Sequence, residues 1–260
     1  MITSSSNSKV KQVIQLKKKA KARAEAGMFL VEGIKMVEEA ASFGIEEVFV
    51  KESKEEEILK QHGNVLSTIS YEVVSDKLFT EMSDTVTPQG ILATVRMPQY
   101  SLKDMLGKES GHLILLQDLR DPGNLGTIIR SAEGAGATGV ILSKESADIF
   151  NPKVIRSTMG SIFRVPFCYV EDFKDTVIGV KNHGISVYAA HLQGTKQYEC
   201  YDYTKPCGFL IGNEAKGLTD EVSTLADTLI RIPMSGQVES LNAAIAASIL
   251  MFEVARQRRS

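Results

Sequence analysis

The chain has 260 residues, 43% apolar and 24% charged, with a formal net charge of −2. That is material for one large or two modest cores, and it excludes disordered, collagen-like and coiled-coil designs. Cys168, Cys200 and Cys207 show no metal-type pairing and read as reduced thiols of a cytoplasmic protein. No apolar run approaches the roughly 20 residues that span a bilayer, and the Ser- and Lys-rich start lacks a signal peptide's apolar core.

In chain order, Val10, Val13 and Ile14 predict a helix from Ser8 to Ala26, ended by Gly27. A strand over Met28–Glu32, a helix over Gly33–Ser42 and a strand over Glu46–Val50 follow. Next come a charged helix over Glu55–Gln61, a strand over Val65–Ile69, a helix over Val73–Glu81 and a β-rich run over Ile91–Met97. The polar stretch Pro98–Glu109 marks a boundary near residue 100. Beyond it, strands are expected at His112–Gln117, Gly139–Leu142, Ser186–Ala190, Phe209–Ile211 and Leu229–Ile232, with a helix at Leu125–Gly134. A last helix, Leu241–Arg256, carries an apolar stripe of Leu241, Ile245, Ser248, Ile249 and Phe252. Strand–helix–strand units of this kind build parallel sheets.

Charge is uneven along this order. Lys9, Lys11, Lys17, Lys18, Lys19, Lys21 and Arg23 crowd the first segment, and Arg256, Arg258 and Arg259 the last. Basic ends on a near-neutral chain suit a polyanion partner, although solvated helix faces look the same.

Three loops look chemical, because each leaves a buried strand where α/β sheets place their ligands. The first, Gln117–Gly126, holds Asn124, a possible helix cap, ahead of Arg130. The second, Gly212–Leu218, holds Glu214 between two glycines. The third, Ile232–Asn242, holds Ser240, a natural N-cap for the last helix. None is a dinucleotide or P-loop fingerprint. Each alone reads first as a capped turn; together they describe one composite pocket.

These residues also carry a resemblance. "DPGNLGTIIRSAEGAG" (121–136), "IGNEAKGL" (211–218) and "IPMSGQVESLNAAIAASI" (232–249) closely resemble the three ordered motifs of the SpoU (TrmH-like) family of RNA 2′-O-ribose methyltransferases, in the SPOUT superfamily. The match runs from Leu115 to Arg256, and the first segment resembles that family's ribosomal-protein-like RNA-binding domain. The resemblance implies three regions: an RNA substrate-binding α/β domain over 1–99, a linker over 100–110, and an α/β catalytic domain over 111–260 with a parallel sheet and a C-terminal trefoil knot. General topology rules would not have anticipated the knot. It further implies S-adenosyl-L-methionine as methyl donor, RNA as substrate and a homodimer.

By motif, the donor-contacting positions are Gly212, Ile232 and Leu241, with Leu192, Gln193 and Gly194 as a further wall. The chemistry maps to Arg130, Asn124, Glu214, Ser240 and Asn242. A ribose hydroxyl is a poor nucleophile that must be aligned and relieved of its proton. A guanidinium is a difficult base, so Arg130 is expected to grip a flanking phosphate and stabilise the developing alkoxide. Lys153 and Arg156, three apart on a helix starting near Pro152, are expected to contact RNA phosphates, as are Lys17, Lys18, Lys19 and Arg23. The histidines His62, His112, His183 and His191 are scattered, and no metal is called for. Ribosomal RNA is the expected substrate, since a separate N-terminal domain suits a large folded target. A transfer-RNA enzyme, a non-catalytic RNA-binding or ribosome-assembly module, and a nucleotide-binding metabolic enzyme are the alternatives.

Overall fold

A computed structural model describes residues 1–66, 69–107, 110–238 and 240–259, apart from the side chains of 64 and 65. The chain forms two compact units, one of residues 1–98 with 148–163, the other of residues 99–147 with 164–260.

The first unit opens with two helices, α1 (Ser8–Lys18) and α2 (Ala20–Ala26), separated by the extended backbone of Lys19. The sequence reading had one continuous helix here, because Lys19 is as good a helix former as its neighbours. Gly27 does end the segment, in the left-handed conformation (φ 63°) that glycine adopts without strain. There follow β1 (Met28–Glu32), α3 (Ile34–Ala40), β2 (Ile45–Lys51), α4 (Glu55–Leu66), β3 (Tyr71–Val74), α5 (Asp76–Met82) and β4 (Ile91–Arg96). The sheet runs β1-β4-β2-β3, with β2–β3 parallel and the other pairs antiparallel. The expected strand Val65–Ile69 does not form as read: after a kink at His62 a helical segment runs to Leu66, and the strand lies at Tyr71–Val74. Residues 67 and 68 of that expectation lie outside the described residues. Val10, Val13 and Leu16 of α1 pack with Phe49, Val74, Phe79 and Leu92 to make the core.

The second unit contains α6 (Leu102–Met105), β5 (His112–Leu116), α7 (Pro122–Gly134) and β6 (Gly139–Ser143). The chain then contributes α8 (Pro152–Thr158) to the first unit before returning with β7 (Phe167–Val170), α9 (Phe173–Asn182), β8 (Ser186–Ala190) and the short β9 (Lys196–Gln197). It closes with β10 (Cys207–Ile211), α10 (Asp220–Ser223), β11 (Thr228–Arg231) and α11 (Ala243–Arg258). Among the described residues seven strands form one parallel sheet, in the order β7-β6-β5-β10-β8-β11-β9. Strands β5, β6 and β10 are buried along their whole length, which is why they read as unbroken apolar runs.

Part of the expected linker is structured. Ser101 and Asp104 form a capping box for α6, and Met105 is fully buried among Leu113, Leu115 and Ile141. Residues 108 and 109 of that linker lie outside the described residues. The apolar stripe assigned to the last helix is also not its buried face. Ala244, Ala247, Leu250, Met251 and Val254 of α11 are buried, whereas Ile245 and Phe252 are 50% and 46% exposed. The helix is apolar on both sides, so periodicity could not select the face.

Several basic residues have structural work. Arg23 is buried, pairing with Asp148 and donating from Nη1 to the Leu16 carbonyl (2.6 Å). Its guanidinium is therefore already engaged inside the first unit, unlike the exposed cation the RNA expectation assumed. The Lys17 ammonium donates to the carbonyls of Glu81 (2.6 Å) and Ser83 (2.8 Å), where α5 ends. Arg258 donates to the carbonyls of Tyr203, Lys205, Ser110 and Gly111, and Arg256 pairs with Glu253. The C-terminal arginines thus fasten α11 rather than form a free basic end. Lys18 and Lys19 remain exposed. No helix among the described residues is long and apolar enough to cross a membrane.

At the start of β5, His112 is 1% exposed, packs edge-on against Phe209, and leaves Nε2 without a hydrogen-bond partner among the described residues. Burial, then the positive charge of Arg258, pull its pKa down to about 4. An unfolded histidine titrates near 6.5. The stability contributed by the neutral ring is therefore complete above that pH and drains away as pH falls toward 4. Denaturant unfolding should show about 2 kcal/mol of this loss between pH 7.5 and 5, and His112→Phe should abolish that component. Equal acid losses in the two proteins would contradict the assignment.

Candidate active site

The strand order sets β5 beside β10, and β8 between β10 and β11. Because all are parallel, the loops following them leave one edge of the sheet together. The three loops singled out in the sequence are therefore neighbours, and hydrogen bonds tie them into one structure.

Glu214 is the centre of that tie. Its Oε1 accepts from the backbone N–H of Asp121 (2.8 Å) and from Nδ2 of Asn124 (3.1 Å), and its Oε2 accepts from the N–H of Arg120 (3.1 Å). Burial alone would raise its pKa. The backbone donors at Asp121, Glu214 and Arg120 and the Asn124 amide outweigh that and hold the pKa below the usual carboxylate value. Glu214 is thus a charged acceptor at neutral pH and a poor proton acceptor.

The second loop is held from behind. Asn213 donates through Nδ2 to the carbonyl of Asp118 (2.8 Å), and its Oδ1 accepts from the N–H groups of Ala215 and Lys216 (3.0 and 3.1 Å). Asp118 adopts φ 53°, a conformation rare outside glycine, and is secured there by Ser143, whose hydroxyl accepts from its N–H (2.8 Å) and donates to its carboxylate (2.7 Å). The third loop joins through Asn242, which donates from Nδ2 to Oδ1 of Asn124 (2.9 Å) while its own Oδ1 caps α11 by accepting from Ala244 and Ile245.

Two caps differ from expectation. α7 starts at Pro122 and is capped by Asp121, whose side chain accepts from the Asn124 N–H (2.8 Å). Pro122 at the first helical position fixes this start, which frees the Asn124 side chain to bridge loops. Likewise Asn242, not Ser240, caps α11.

The loops enclose a cavity of about 350 Å³. Gly212, Ile232, Leu241, Leu192, Glu214 and Ser240 all line it, with His191, Met234, Ala243 and Ala246. Asn124 and Asn242 stand behind its wall. Gln193 faces a separate hollow with Asp220 and Asp227. Gly194 is buried where any Cβ would lie 2.6 Å from the Ile230 carbonyl carbon and 2.8 Å from the Arg231 nitrogen. Arg130 is exposed on α7 and makes no hydrogen bond or ion pair among the described residues. In the first unit, Arg156 of α8 pairs with Asp84, whereas Lys153 is exposed.

The sequence reading missed Asn213, Lys216 and Arg231. The loop containing Asn213 and Lys216 was visible, but an Asn side chain serving its own turn looks like any loop residue. Arg231 read as an ordinary strand end. Among the described residues no cluster of His, Cys, Asp or Glu could hold a metal.

The chain belongs to the SpoU rRNA methylase family, whose family model matches residues 111–252. A second model, an MRM3-like substrate binding domain, matches residues 7–93. Among curated relatives, the 23S rRNA (guanosine(2553)-2′-O)-methyltransferase RlmP of Bacillus subtilis is 34% identical, the alignment covering 97% of this chain and 98% of the relative. The crystal structure of the SpoU methyltransferase AviRb from Streptomyces viridochromogenes in complex with AdoMet superposes with a TM-score of 0.88 at 31% identity, covering 98% of this chain and 99% of that one. The AdoMet-bound rRNA methyltransferase from Sinorhizobium meliloti gives 0.84 at 33% identity, covering 98% and 97%.

The cavity fits such a donor. Its volume suits a small-molecule site, with apolar walls and a few polar groups. The backbone groups of Ile232, Met234 and Leu241 make no hydrogen bonds among the described residues, so they are free to serve a ligand. Gly212 is the most demanding position, since a Cβ there would sit 2.1 Å from the Gly217 carbonyl carbon. Gly212→Ala must open the Gly212–Leu218 turn. Calorimetry with S-adenosylhomocysteine should show at least about tenfold weaker binding, with native circular dichroism retained. Undiminished affinity would show that this turn does not shape the ligand site.

Proposed function

We propose that this protein methylates a ribose 2′-hydroxyl in ribosomal RNA, using S-adenosyl-L-methionine. The observation that carries the reading is the joining of three family motifs, through Glu214, Asn124 and Asn242, around one cavity with unpaired backbone groups. Similarity to enzymes named for 23S rRNA 2′-O-methylation supplies the substrate class.

S-adenosylmethionine, when bound, supplies a methyl group on a positively charged sulfur. Gly212, Ile232, Leu241 and Leu192 would hold it through backbone and apolar contacts. Gln193 and Gly194 act one step removed, Gly194 by letting the loop after β8 close against β11. Asn124, Glu214 and Asn242 fix the loops around the reacting hydroxyl, and Ser240 lies on the wall facing it. Arg130, unpaired on the helix that Asp121 caps, grips a phosphate beside the target ribose and stabilises the negative charge growing on O2′. Arg130→Ala should lower kcat at least about a hundredfold and leave S-adenosylhomocysteine affinity unchanged. Near-normal turnover would remove Arg130 from the mechanism. The direct test of function is 2′-O-methyl mapping of ribosomal RNA from cells with and without the protein; identical maps would refute it.

The division of labour is by domain: residues 1–99, joined in the first unit by residues 148–163, bind RNA, with Lys18, Lys19 and Lys153 as exposed cations for phosphates, and the rest of 111–260 carries catalysis. Arg156 joins those cations only if RNA displaces Asp84. The loop approaches at Gly194 and Gly212 fit a C-terminal trefoil knot. Free Cys168, Cys200 and Cys207 fit a cytoplasmic location. The exposed Ile245 and Phe252 of α11 fit burial in a homodimer. Sedimentation should give twice the monomer mass, and Ile245→Lys with Phe252→Glu should reduce it to a monomer; a monomeric parent protein would overturn the dimer.

A further inference from the structure

We infer that Lys216 and Arg231 form an oxyanion subsite on the wall of the cavity, built to take a carboxylate or phosphate group. The inference deepens the proposed reaction and rests on it for the identity of the ligands offered.

Among the described residues lining the cavity, two are cationic, Lys216 from the turn after β10 and Arg231 from the end of β11. Neither side chain makes an ion pair or hydrogen bond among the described residues. Elsewhere many of the cations are spoken for: Arg23 by Asp148, Lys181 by Asp227, Arg256 by Glu253, and Arg258 by four carbonyls. Among the described residues lining the cavity, Glu214 is the one acid, and its oxygens already accept from Arg120, Asp121 and Asn124. Glu214 keeps its negative charge but pairs with neither cation, so two cations face one carboxylate and the lining stays net positive.

Their backbones are nonetheless fixed. The Lys216 N–H is held by Asn213 Oδ1 (3.1 Å), and Arg231 is in register with Gln197 on β9. Anchored stems with unengaged heads at a concave site focus positive potential on whatever enters. The chemistry is complementary too: a guanidinium offers a planar fork to two oxygens, and an ammonium adds a compact charge. The proposed reaction offers two such groups, the donor's α-carboxylate and a phosphate of the RNA.

The test compares the parent protein with Lys216→Met, Arg231→Met and the double variant. Both side chains are exposed and unpaired, so melting temperatures should match. Calorimetry is run with S-adenosylhomocysteine and with methylthioadenosine, which lacks the amino-acid carboxylate. RNA binding to a short 23S rRNA hairpin is followed against salt. If the donor's carboxylate occupies the subsite, the double variant binds S-adenosylhomocysteine about tenfold more weakly or worse, and methylthioadenosine unchanged. If an RNA phosphate does, S-adenosylhomocysteine binding is unchanged while the slope of log K against log salt flattens by about one. Unchanged values in both arms would overturn the subsite. Failure of the parent protein to bind S-adenosylhomocysteine would instead refute the donor reading, and the RNA arm would still decide the subsite.

Discussion

One carboxylate, that of Glu214, holds the candidate site together. It accepts from two consecutive backbone N–H groups and the Asn124 amide, so it takes donors that a loop leaving a buried strand would otherwise leave to water. Arg120, Asp121 and Glu214 are exposed, so water can also serve these donors, and each bond contributes about 0.5–1.5 kcal/mol toward holding the first loop in this shape beside the second. Asn124 passes the constraint to Asn242, and Asn242 passes it to the first turn of α11. Three short loops thereby behave as one rigid wall. Catalysis by positioning needs that property, because small errors in alignment are costly in rate.

Much of the fold was legible in the sequence for physical reasons. The central strands of the second unit are buried on both faces and so appear as short apolar runs between glycines and polar turns. The region around Glu214 was equally plain, since glycines bracket a polar loop after a buried strand. What escaped the reading depended on tertiary choice. The break at Lys19 has no local cause in residue type. α11 has two apolar sides, and only packing decides that Ala244, Ala247 and Leu250 face inward. Basic residues were the least legible: Arg23 and Lys18 look alike in a string of letters, yet one is buried against Asp148 and the other is solvated.

The site shows the same division. Motif order found the cavity walls at Gly212, Ile232 and Leu241, whereas Lys216, in a turn, and Arg231, at the end of β11, join the lining through the tertiary fold. The two caps illustrate the reason. Asp121 and Asn124 are both good capping residues three positions apart, and Pro122 decides between them by fixing the first helical φ. Once Asp121 takes the cap, the Asn124 side chain is released for longer-range work. A local rule, applied one turn too late, hid a tertiary role.

The wall is assembled from segments spanning 117–126, 212–218 and 232–242, which are remote from one another along the chain. During synthesis the first of these leaves the ribosome long before the last, and its backbone donors are left to water until Glu214 arrives. A nascent chain stopped short of Asn242 would lack the final brace. Ligand capture is thus deferred until translation is nearly finished, and a truncated product would be silent rather than promiscuous.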